Sequence, residues 1–408
     1  MKKILLCAFC TFSLMAWGQS KVTTCGYEQK DGLEYSLNDG VEDIAIVTRC
    51  VTVPSGGKVV IPETITSDGI TYDVVGIGDM AFYERENLKQ VEFMGNKLTS
   101  IGNAAFGGSG LTSVAIPASV TFIDYGAFMH CKALTSVTLP EGLETLPDHV
   151  LYGCTSLKNI KLPASLNQLG PSCLSYSGIT SLVIPEGVTT IGNSAVAVCE
   201  DLESITLPAS LSAIDNYGIY GCPKLKNIRL PQGLKTLGEE ALSKCGMPYI
   251  LLPEGLTTIG DGAMSHDNVL KAVNIPSTVT KMEGAFSGLT GARRVYSRIK
   301  QAYRPGGQTF VTCIPGFTYG GKTKFYVPKG SLSSYQDVSP WSMMNMLVEE
   351  VPGDVDDNNT IDVSDMSEII NHVLVKGNPE TAIAADVDRS CDIDVTDINI
   401  IINKILNK

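Results

Sequence analysis

Ten oxygen-bearing side chains near the C-terminus recur at one spacing in two copies. Asp354, Asp356, Asn358, Asp362 and Asp365 hold positions 1, 3, 5, 9 and 12 of a loop. Asp386, Asp388, Ser390, Asp394 and Asp397 hold the same positions 32 residues further on. A 12-residue calcium loop takes side-chain oxygens at those positions and a backbone carbonyl at position 7. Position 7 is Thr360 in the first copy and Asp392 in the second. All-oxygen donors with several carboxylates suit Ca²⁺, one ion per loop and two in all. Residues 353–408 hold 12 Asp and Glu against 4 Lys and Arg, which is −8 of the chain's net −12. So much charge in two short loops would repel itself without a cation. Position 12 is Asp rather than the usual Glu. Position 6, where Gly makes the sharp turn, is Asn359 and then Cys391. Asn tolerates left-handed backbone and Cys does so poorly, so the second loop is the less regular.

Each loop runs into a helical pattern, Ser364–Leu374 and Thr396–Leu406. Ile361 and Ile393, at position 8, are expected to pair in the core between them. Two loop–helix units without entering helices, with Asp at position 12, resemble a type I dockerin across the whole segment. The resemblance implies docking to a cohesin-like module, often within polysaccharide-degrading assemblies. It places the contact at positions 10 and 11, which are Val363, Ser364, Val395 and Thr396. The duplication implies two similar docking faces.

The elements ahead of this module repeat at a longer period. LTSVAIPASVTFIDYGAFMHCKA begins at Leu111, and related stretches begin at Leu134, Leu157, Ile179, Leu202, Leu225, Met247 and Leu270. The period is 22 or 23 residues, which marks a solenoid. Positions 4 and 6 are apolar and flank an exposed position 5, the alternation of a half-buried strand. Proline at position 7 ends the ladder. Positions 10 and 13 are apolar again, and a G-x-x-A-F turn follows, clearest at Gly78–Phe82 and Gly102–Phe106. One copy cannot bury these residues, but a stack can. The motif resembles the BspA-type leucine-rich repeat of bacterial surface proteins. The fold expected is therefore a repeat solenoid, a right-handed β-rich leucine-rich-repeat horseshoe, with a small all-α calcium-binding dockerin-like domain at its end.

Positions 2, 3 and 5 should form the outward strand face, which in such repeats commonly binds partners. Two basic spots stand there, Lys158 with Lys161 and Lys226 with Arg229, and Tyr249 is the one aromatic residue. With so few aromatic rings, a protein ligand fits this face better than a carbohydrate. Cys131, Cys154, Cys199, Cys222 and Cys245 all fall at position 21. Stacking puts them in rows about 5 Å apart. Such a row reads as buried thiols used as small apolar residues, and export would also permit disulfides. Catalysis has no foothold. His130, His149, His266 and His372 pair with no nucleophile, and no glycine-rich phosphate loop follows a strand. The acidic balance argues against nucleic acid.

The ends complete the map. Residues 1–18 read as a signal peptide, with Lys2 and Lys3, an apolar run, and cleavage after Gly18. A lipidated cysteine at Cys7 or Cys10 is the alternative. No apolar run is long enough for a spanning helix. Residues 19–87 read as an N-terminal β cap with a first irregular repeat, 88–292 as the repeats, 293–352 as a C-terminal cap containing Trp341, and 353–408 as the calcium module. Arg293, Arg294, Arg298, Lys300 and Arg304 read as a solvated charge run or an anion site. The function expected is an exported, cell-surface or secreted, non-catalytic binding protein. Its repeats hold a macromolecule and its calcium module docks to a partner. The alternative is an accessory component of a polysaccharide-degrading complex.

Overall fold

The computed structural model describes residues 25–39, 42–265, 269–282, 284–286, 292–300, 323–336, 347–357, 360–375, 382–390 and 393–406. The signal segment, His266 and Trp341 lie outside them. The chain falls into two compact units, Met1–Pro185 and Glu186–Lys408.

In the first unit, Cys25–Lys30, Leu33–Asp39 and Asp43–Cys50 form an antiparallel meander. Asp31-Gly32 makes its first tight turn and Asp68-Gly69 that of the later hairpin Thr64–Ser67 with Ile70–Ile77, with φ of 51° and 79° in one and 51° and 81° in the other. Both residues of such a turn are left-handed, which explains Asp-Gly at each. Asp43–Cys50 then pairs in parallel with Ile70–Ile77, and the repeats take over. Lys58–Ile61 pairs with Gln90–Phe93, and Ser113–Ala115 with Ser136–Thr138, all in parallel. A second ladder joins Ser100–Ile101 to Phe122–Ile123. In the second unit Thr190–Ile191, Ala213–Ile214, Thr236–Leu237, Thr258–Ile259 and Lys281–Met282 climb one repeat per rung. Tyr249–Ile250, Ala272–Ile275, Arg294–Ser297, Lys324–Val327 and Leu347–Glu349 form the other ladder.

The burial pattern follows the repeat arithmetic. In Ser113–Ala115 only position 4, Val114, is buried between two exposed neighbours. Ser136–Thr138 and Ser204–Thr206 do the same. The turns form a third ladder: the N–H groups of Phe82, Phe106 and Phe128 donate to Ala105, Ala127 and Val150, 2.7 to 3.0 Å away. That stacks Phe82 on Phe106 and Phe106 on Phe128, with centroids 4.9 and 5.2 Å apart. This is the strand spacing, so backbone and rings share one period. The copies at Leu157 and Leu225 adopt no strand at 157–163 or 225–231. These copies carry Lys at position 2, Asn at 3 and Lys or Arg at 5, residues poor at holding a pleated surface.

The position-21 cysteines are buried. Cys131, Cys154, Cys222 and Cys245 are thiols, and each donates back one turn, to Phe106 O (3.1 Å), Phe128 O (3.3 Å), Val196 O (3.4 Å) and Ile219 O (3.1 Å). The slot is thus polar as well as small, and the thiol adds a second hydrogen bond to carbonyls such as Phe106 O and Phe128 O, which also accept the N–H groups of Ser109 and Cys131.

Candidate functional site

The C-terminal helices Val363–Val375 and Val395–Leu406 pack on each other around Val355, Ile369, Ala385 and Ile401, all fully buried. Ile361 and Ile393 are half-buried at the rim rather than at the centre. Gly353 enters this core at φ 100°, and a Cβ there would sit 2.7 Å from Ile401 Cδ1, so only glycine fits.

Each helix is capped by its own loop. Asp362 Oδ1 accepts the Ser364 N–H at 2.8 Å, and Asp394 Oδ1 accepts that of Thr396 at 2.6 Å. Asp365 Oδ2 reaches back to the Asp362 N–H (2.8 Å), and Asp397 Oδ2 to that of Asp394 (3.0 Å). This reciprocal arrangement is a capping box. Asp365 Oδ1 also accepts the N–H groups of Val355 and Asp356, at 2.6 and 3.3 Å. Asp397 Oδ1 accepts those of Val387 and Asp388, at 2.6 and 3.1 Å. Both position-12 carboxylates are fully buried. Burial raises the Asp397 pKa against its backbone donors, while hydrogen bonds from Thr396 lower that of the half-buried Asp394.

Carboxylate oxygens of Asp354, Asp356 and Asp365 lie within 4.8 Å of one another, and so do those of Asp386, Asp388 and Asp397. Three like charges that close, with one wholly buried, fit a divalent cation. The donor set of each loop is therefore suited to Ca²⁺. Thr360 is exposed, and its hydroxyl bonds Asp362 at 3.1 Å. Asn358 and Asp392 lie outside the described residues. The Ser364 hydroxyl lies within hydrogen-bond reach of Asp356 (2.6 Å) and Asp362 (2.7 Å). Thr396 does the same with Asp388 (2.9 Å) and Asp394 (2.6 Å). Val363 and Val395, their neighbours, stand 63% and 62% exposed.

A BspA-type leucine-rich repeat model matches residues 75–203 and 189–295, in six copies and over more than half of the chain. The chain belongs to the BspA-type leucine-rich repeat family. A dockerin type I model matches residues 352–406. Both are non-catalytic domain types, typical of surface or extracellular proteins. No curated protein matches this BspA-type chain. Among solved structures it is similar to a leucine-rich repeat protein from Bacteroides ovatus, at 23% identity and a TM-score of 0.41, over 74% of this chain and 100% of that one. A leucine-rich cell-surface protein from Faecalibacterium prausnitzii gives 24%, 0.41, 67% and 95%. The pneumococcal vaccine antigen PcpA gives 18%, 0.44, 80% and 99%.

On the repeats, the basic spots are dispersed. Lys158 is exposed. Lys161 meets Glu141 at 3.2 Å in an open ion pair, worth little. Lys226 is exposed and donates to Pro223 O at 3.2 Å. Arg229 is exposed and lies close enough to Asp394 to help lower its pKa. Tyr249 is half-buried, and burial raises its phenol pKa. The outward face there is not open: Leu251, Ala272 and Asn274 are buried. The helix Ala382–Ala385, which periodicity did not predict, packs on Tyr249–Ile250 and Ala272–Ile275. The arginine run also departs from expectation. Arg298 is buried beside Glu254, and Arg294 lies half-buried against Tyr296 and over the Tyr326 ring. The histidines at the turns join an aromatic edge: Tyr125 meets His149 (4.7 Å), and Tyr152 meets His149, His130 and Tyr176 at 5.1 to 5.4 Å. Burial lowers the His149 pKa. Among the described residues no helix is long and apolar enough to cross a membrane.

Proposed function

We propose that this protein is an exported, non-catalytic binding protein that docks to a cohesin-like module when its C-terminal domain holds two Ca²⁺ ions. Residues 353–408 form that domain, after repeats at 88–292 and a cap at 293–352. Site one is Asp354, Asp356, Asn358, Thr360, Asp362 and Asp365. Site two is Asp386, Asp388, Ser390, Asp392, Asp394 and Asp397. The observation that carries this is the doubled carboxylate cluster at 4.8 Å, each with a buried aspartate that also caps a helix. Bound calcium would neutralise the cluster and fix each loop to its helix. The residues themselves shape the docking surface: the Ser364 and Thr396 hydroxyls turn inward to the loops, leaving Val363 and Val395 as exposed apolar contacts. The repeats serve as a protein-binding scaffold through the outward face of the earlier copies, including Lys158 and Lys161 in the copy that forms no strand there.

The test is binding of the full chain to a panel of purified cohesin modules, in millimolar calcium and in chelator. Binding should occur in calcium only. Val363→Asp with Val395→Asp should abolish it while calorimetry still shows calcium uptake. Binding to no module of the panel in calcium would overturn the docking role, binding that survives chelation its calcium dependence, and binding that survives the double substitution the Val363 and Val395 surface.

A further inference from the structure

The fourth residue of each calcium loop lies between two ligand positions and is met from outside the module, by the cap in loop one and by a repeat in loop two. Asp357 and Arg389 occupy equivalent places, at φ 67° and 65°. Non-glycine residues adopt this left-handed backbone at a cost, and a long side chain such as Arg does so with little local help. Each is met by a partner outside the module. The Asp357 carboxylate is 12% exposed, pairs with Lys324, and accepts the Tyr326 hydroxyl at 2.9 Å. Tyr326 stacks flat on Tyr296, with centroids 4.5 Å apart. Arg389 Nη1 lies 4.0 Å from Glu254 Oε1, which also faces the buried Arg298 Nε at 3.9 Å. The next residue, Ser390, accepts a hydrogen bond from Gln232 Nε2 through its carbonyl at 2.8 Å. Thus strand Lys324–Val327 grips the position-4 side chain of loop one, and two repeat turns grip the position-4 side chain and the position-5 carbonyl of loop two.

We propose that these contacts are a clamp, so that calcium loading of the loops and packing of the last repeats stabilise each other. This rests on the calcium reading above. A clamp that fixes the backbone of the ligand-bearing loop removes part of the ordering cost of binding an ion. Linkage then requires the ion to stabilise the clamped repeats by the same factor. The two arms differ in strength. In the Lys324–Asp357–Tyr326 arm the Asp357 carboxylate is shielded from water although Lys324 is 38% exposed, and breaking the pair strands the buried carboxylate. The Arg389–Glu254 arm is longer and Arg389 is 41% exposed, so solvent screens it. Loop one is therefore the more tightly coupled.

The decisive variant lies in the cap strand Lys324–Val327, outside the calcium loops. Lys324→Met with Tyr326→Phe removes the charge and the hydroxyl but keeps the stacked ring. Asp357→Gly removes the carboxylate from the loop side and still permits the left-handed φ. Calorimetry of the full chain with calcium chloride alone should show the tighter site weakened about tenfold in both variants. Hydrogen exchange at Arg294–Ser297 and Lys324–Val327 should slow on adding calcium in the wild type and change far less in the variants. Unchanged affinity in the Lys324→Met, Tyr326→Phe chain, or exchange at those strands indifferent to calcium while the ion binds, overturns the clamp alone. No calcium uptake by the wild type overturns both the clamp and the calcium reading.

Discussion

A single atom decides what the position-21 cysteine does. Its sulfur fills a buried slot, and its proton adds a hydrogen bond to a carbonyl of the turn before. Burial pushes the Cys131 thiol up to about 11 and raises that of Cys154 well above the ordinary value, and a hydrogen bond with Cys245, together with burial, does the same for Cys222. Such thiols stay protonated and unreactive at neutral pH. Thiol titration should therefore find the position-21 cysteines inert in the native protein and fully reactive, without reductant, once it is unfolded. Blocked thiols after unfolding would mean disulfides. Cys154→Ala should cost about 1 kcal/mol or somewhat more, from a small cavity and the loss of one of the two hydrogen bonds that Phe128 O accepts, the other coming from the Cys131 N–H. Denaturant melts would measure it. The pH sign follows from the raised folded values. Stability is fully present below the unfolded thiol value, near 9, and is lost as pH climbs from there through the folded values. Melts run from pH 8 to 11 should show a steady fall, and Cys154→Ala should make it shallower.

At the scale of elements, the loop–helix joint carries two duties with the same residues. Asp365 is both a metal ligand in our reading and the acceptor for three backbone N–H groups. Asp354→Ala should therefore remove calcium from site one with modest damage to the helix, whereas Asp365→Ala should lose the ion and unravel the Val363–Val375 helix start as well. Calorimetry and circular dichroism on the full chain separate the two effects; equal helix loss in both variants would refute the capping role. These carboxylates and their helices were legible in the sequence because side chains at fixed loop positions and a 3.6-residue apolar period are local signals. The repeat strands were legible for the same reason, from position 4 at Val114 or Val137. Burial of Ala272 and Asn274 was not legible. It depends on the four-residue helix Ala382–Ala385 lying across them, more than a hundred residues on in the chain. Arg298 was misread likewise, since a basic run looks solvated until Glu254 is found beside it.

For the whole molecule, charge and core are distributed unequally along the chain. The repeats bury their own apolar ladder in every turn, and their backbone bonds run from repeat to repeat. Their order needs no ion. Residues 353–408 carry two-thirds of the net charge, −8 of −12, and close a core centred on a few residues such as Val355, Ile369, Ala385 and Ile401. A segment that short gains little from burial alone, and its clustered carboxylates oppose folding until a cation joins them. Chelation should therefore act on one end of the protein. In the full chain, removing calcium should abolish most of the far-ultraviolet helical signal and leave the β signal of the repeats in place. Exchange should accelerate in the two C-terminal helices first, then in the strands that the clamp touches, and not in Ser113–Ala115 or Ser136–Thr138. Restoring millimolar calcium should reverse this in two unequal steps, because the second loop has Cys391 at its turn and the weaker Arg389 contact. A helical signal equal with and without calcium would remove the metal from this protein's function, and with it the calcium-dependent docking.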